Sequence, residues 1–63
     1  MTRAEATKEA RKIAQQEGAT MVVVLEGPHR EEHEPEDSHG YCPEAAKPIL
    51  YKHGTVVETI RPT

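Results

Sequence analysis

His29, His33, His39 and Cys42 are the residues whose types and spacing could do chemistry. Read as ligands they run His-x3-His-x5-His-x2-Cys. If Pro28 opens a short helical turn that ends before Pro35, His29 and His33 share one face at i, i+4, where two imidazoles can meet one cation. His39 and Cys42 have the short separation at which two residues of a turn converge on a metal. Three nitrogens and a thiolate make a sound tetrahedral zinc set, which would also lend a small fold stability. Glu31, Glu32, Glu34, Glu36 and Asp37 would then accept the outer imidazole N–H groups. Structural zinc patterns lean on paired cysteines, however, and this chain has one cysteine. A metal-free acidic loop is the simpler expectation, and zinc is the cofactor of the alternative.

Catalysis finds less support in the same residues. Cys42 as a nucleophile needs a base in reach, for which His39 is the nearest candidate. No resolving cysteine accompanies it, and Pro43 removes a backbone donor just beyond it. The carboxylates among Glu31, Glu32, Glu36 and Asp37 lack the apolar surroundings that would tune an acid and a base apart. No P-loop, dinucleotide fingerprint or His-Glu-x-x-His is present. Tyr41-Cys42-Pro43 reads instead as an apolar anchor on the sheet, and the chain is expected not to be an enzyme.

These residues sit in one acidic stretch, 27–45, with three of the four histidines, three of the five prolines and six of the eleven carboxylates. Six acids against Arg30 give the stretch a net charge of −5, while the rest of the chain carries seven Lys/Arg against five acids. A mildly basic body thus bears an acidic insert that would repel phosphate and attract cations or a basic protein surface. Arg3, Lys8, Arg11 and Lys12 on the helix, with Lys47, Lys52, His53 and Arg61 beyond, are interleaved with Glu5, Glu9 and Glu17. Only Tyr51 could stack a base there, so nucleic acid is not an expected partner.

The elements that must position this stretch are few. Thr2 and Glu5 have capping-box spacing, and Ala6, Ala10, Ile13 and Ala14 form one narrow apolar stripe of a helix closed by Gly18. Ala19 to Glu26 predicts a strand whose Met21, Val23 and Leu25 point one way and Val22 and Val24 the other, hence a central strand covered on both faces. After the loop, Lys47 to Lys52 and Thr55 to Arg61 predict a C-terminal hairpin turning at His53-Gly54. A left-handed Gly54 in a G1 bulge would pair Tyr51 with Thr55, Leu50 with Val56 and Ile49 with Val57.

The fold expected is therefore a single α+β domain over 1–63, with one N-terminal helix on a three-stranded sheet in the order α-β-long loop-β-β. Sixty-three residues without an internal disulfide are marginal alone. One thin helix covers one sheet face, so a homodimer is expected to bury the other face or to join sheet edges; the alternative is a monomer whose long loop folds over that face. Met1 to Gly18 lacks an apolar signal core and Met21 to Leu25 is too short to span a bilayer, so a cytoplasmic protein without membrane contact is expected. The function expected is a binding domain with the acidic loop 27–45 as its recognition surface for a protein partner, the alternative being the zinc domain above.

Overall fold

Helix α1 (Arg3–Glu17) starts where its capping box lies: the Thr2 hydroxyl accepts the Glu5 N–H at 3.1 Å, and the Glu5 carboxylate accepts the Thr2 N–H at 3.0 Å. It ends at Gly18, whose φ of 64° is the left-handed conformation that glycine adopts without a steric cost. The computed structural model describes residues 1–26 and 38–63. Within them α1 is followed by β1 (Met21–Leu25), β2 (His39–Pro43), a 3-10 turn (Glu44–Ala46), the short helix α2 (Lys47–Leu50) and β3 (Thr55–Ile60).

The three strands form an antiparallel sheet in the order β2-β1-β3, so β1 is central, as its apolar run requires. Its side chains divide as expected. Met21 and Val23 join Ala6, Ala10, Ala14 and Ile60 in a core under the helix, with Ile13, Tyr41 and Val57 packed against it. Val22 and Val24 join Cys42 on the opposite face beneath Tyr51. The three alanines are fully buried, and their small side chains let α1 lie close on the sheet.

The C-terminal hairpin is corrected. Its second arm is β3, but Lys47–Leu50 is helical and β3 pairs with β1. Pro48 stands in the first turn of α2, where no amide donor is needed. The expected pairs of Tyr51, Leu50 and Ile49 with the last strand do not form. A turn does cover Lys52-His53, closed by Gly54 N–H to the Tyr51 carbonyl at 3.0 Å, but it links α2 to β3. Gly18 is the only residue with positive φ among those described, so Gly54 forms no G1 bulge. The bulge is at Val57 instead, where the register passes from Val23↔Glu58 to Val24↔Val56.

The third strand lies inside the stretch expected to be loop. β2 pairs with β1 from Leu25↔His39 to Met21↔Pro43. Both outer strands run antiparallel to β1, so β2 ends at the foot of the sheet and β3 begins at its head. Residues 44–54 must climb between those points. They cross the face opposite α1 as a strap, with Tyr51 on Val22, Val24 and Cys42. Among the described residues, it is this strap, through Tyr51, that packs on the second face; residues 27–37 of the expected loop lie outside those described.

Candidate functional site

Position along β2 decides what His39 and Cys42 can do together. Successive strand residues point to opposite faces, so residues three apart do too. His39 pairs with Leu25, which places it on the helix face; Cys42 pairs with Val22 and belongs to the strap-face cluster. Their side chains do not converge, contrary to the expectation for a turn. Cys42 is 2 % exposed, and burial pushes its thiol pKa up, against the smaller opposing effect of Lys47. A thiol held neutral is a poor nucleophile and a poor ligand. His29 and His33 lie outside the described residues, as do Glu31, Glu32, Glu34, Glu36 and Asp37. Among the described residues no three His, Cys, Asp or Glu side chains gather where they could hold a metal.

The anchor role expected of Tyr41-Cys42-Pro43 takes a definite form. Tyr41 packs against the helix-side core and Cys42 against the strap-side core, so the edge strand grips both layers. Tyr51 completes the grip. Its ring occupies the space above Gly40, where a Cβ would come within 2.8 Å of Tyr51 Cζ. Gly54 is small for a related reason, since a Cβ there would run into Val24 Cγ1. Burial pushes the Tyr51 phenol pKa up, with Glu26, Cys42 and Tyr41 adding to the rise, while a backbone hydrogen bond from Tyr41 acts the other way.

Among the described residues, two surfaces stand open to contacts with other molecules. Along α1 an open depression of about 600 Å³ is lined by Arg3, Ala4, Thr7, Lys8 and Arg11. One of its three cations is already engaged, since Arg3 Nη2 donates to the Glu58 carboxylate at 2.9 Å and to the Val57 carbonyl at 3.0 Å. The other surface is the outside of the strap, which the sequence reading assigned to a strand and so missed. Ile49 is 82 % exposed and Leu50 62 %, and Val56 on the same side of the sheet is 42 % exposed. An apolar pair on a short helical turn, left largely exposed, is the signal that could have pointed there. Adjacent exposed branched aliphatics on one face are a feature of contact surfaces.

No family model, curated protein or solved structure matches the chain. No helix among the described residues is long and apolar enough to cross a membrane.

Proposed function

We propose that this chain is a small, non-catalytic interaction domain that presents the outer face of the strap to a protein partner. The observation that carries the reading is the exposure of Ile49 and Leu50 side by side, against a core that buries Met21, the three valines of β1, Leu25 and Ile60. Leaving these two side chains in water forgoes the transfer free energy of two aliphatic groups, which a partner would recover. The acidic charge of residues 27–37, five carboxylates against Arg30, supplies a second means of recognition by favouring a basic partner surface and speeding its approach. Homodimeric assembly in the cytoplasm belongs to the same reading.

A photoreactive residue at position 49 tests it, with the same residue at Gln16 on α1 as the control. The expected result is a discrete adduct from position 49, identified by its mass and competed away by excess unmodified chain, with none from position 16. No adduct from position 49, or equal adducts from both, overturns the reading.

A further inference from the structure

We infer that the occupant of the strap face is a second copy of this chain, related by a twofold axis that lays the two straps antiparallel; this rests on the interaction reading above. Strand addition is the first alternative, and both sheet edges are guarded against it. On β2 the His39 N–H donates to the Met1 carbonyl at 2.9 Å, and Pro43 has no N–H. On β3 the ladder is broken by the bulge at Val57, and Arg3 occupies the Val57 carbonyl at 3.0 Å. Bulges and occupied edge groups are the devices that stop sheets from adding strands. What remains for association is face-to-face packing.

Charge along the strap selects the partner. Glu44 opens it, Lys52 closes it, and Ile49 and Leu50 lie between; the strap's third charge, Lys47, is half-buried and lies near enough to Cys42 to act on its thiol. Glu44 and Lys52 are exposed, and neither makes an ion pair among the described residues. A twofold axis can lay strap on strap in two ways. The parallel way sets Glu44 on Glu44 and Lys52 on Lys52. The antiparallel way brings Glu44 of each copy to Lys52 of the other, twice per dimer, with the aliphatic pairs packed between. The strap is therefore complementary to itself. A standard interface takes about 800 Å² from each partner, which would be a large share of this chain's 4586 Å². The strap face is only about three strand spacings, or ~15 Å, across. The interface is therefore at the small end of those that stable complexes use, and the dimer is reversible.

Sedimentation of the untagged full chain from low-micromolar to millimolar concentration tests the inference. A reversible monomer–dimer equilibrium is expected. Ile49→Asp should shift it to monomer without changing the circular dichroism, or the melting temperature at concentrations where the parent is itself monomeric, since Ile49 is largely exposed. Glu44→Lys and Lys52→Glu should each weaken the dimer about tenfold, and the double variant Glu44→Lys/Lys52→Glu should restore it. A monomer at every concentration, a dimer indifferent to Ile49→Asp, or single and double charge variants that weaken alike would each overturn it. A monomer that still gives a specific adduct from position 49 with a different protein would retain the interaction domain and discard the second copy.

Discussion

Cys42, Tyr51 and Gly40 form one contact whose parts constrain one another. Burial raises the pKa of both the thiol and the phenol, so the folded chain holds those protons more tightly than the unfolded chain does. Stability from these groups is therefore fully present below their ordinary values, and is lost as pH rises from the ordinary thiol value through the raised ones. The urea midpoint should fall through that alkaline range, and Cys42→Ala should flatten the early part of the fall. A midpoint indifferent to pH in the parent would sink the assignment. Gly40→Ala should cost about 1–3 kcal/mol at neutral pH, because the new methyl must displace the Tyr51 ring or bend the edge strand. Shortening Tyr51 to Leu in the Gly40→Ala background should recover part of that loss if the ring is the obstacle. The same burial bears on metals. Cobalt(II) titration should show no thiolate-to-metal charge-transfer band, and such a band would place Cys42 in a coordination sphere that β2 turns it away from.

At the scale of elements, what was legible in the sequence follows from which signals are local. The capping box, the alanine stripe and Gly18 are local, and α1 forms where they place it. Thr2→Ala should cost about 1 kcal/mol, since it leaves an amide of the first turn without its acceptor; thermal unfolding identical to the parent would show that the cap contributes nothing. β1 was legible from its run of valines, and β3 from the stretch between the turn at His53-Gly54 and Pro62. β2 was not. His-Gly-Tyr-Cys-Pro contains a glycine and a proline, and becomes a strand because β1 needs a partner on that side and because Tyr41 and Cys42 fill opposite cores. Lys47–Leu50 failed in the opposite direction. Its Pro-Ile-Leu run reads as one arm of a hairpin, yet a crossover must carry the chain from the foot of β2 to the head of β3, and its apolar residues are left outside. The histidine pattern was legible as residue types only. Whether His39 and Cys42 share a face depends on strand parity, which short-range spacing does not encode.

For the whole molecule, the consequence of a central strand between two small cores is that neither core stands without it. The backbone of β1 divides its hydrogen bonds by parity. The Glu26 N–H donates to the Ser38 carbonyl at 2.8 Å and the Glu44 N–H to the Thr20 carbonyl at 3.0 Å, so even-numbered residues of β1 face β2 and odd-numbered ones face β3. Val22 and Val24 amides therefore report on the β2 side, and Val23 and Leu25 amides on the β3 side. If the helix-side and strap-side cores unfold as one unit, all four amides exchange through global unfolding with the same free energy. Tyr51→Ala, which weakens only the strap side, should then lower the protection of all four equally. If instead the strap and β2 can open by themselves, the variant would lower Val22 and Val24 while leaving Val23 and Leu25 at their parent values. The shared strand favours the first outcome, because Tyr41 and Cys42 tie β2 to both cores and any opening of that edge exposes buried surface on each side of the sheet. Hydrogen exchange at low protein concentration, below the range of any dimer, separates these cases without interference from association. Repeating it at high concentration should raise protection of all four amides together, since a dimer that binds only folded chains stabilises the cooperative unit and not one edge of it.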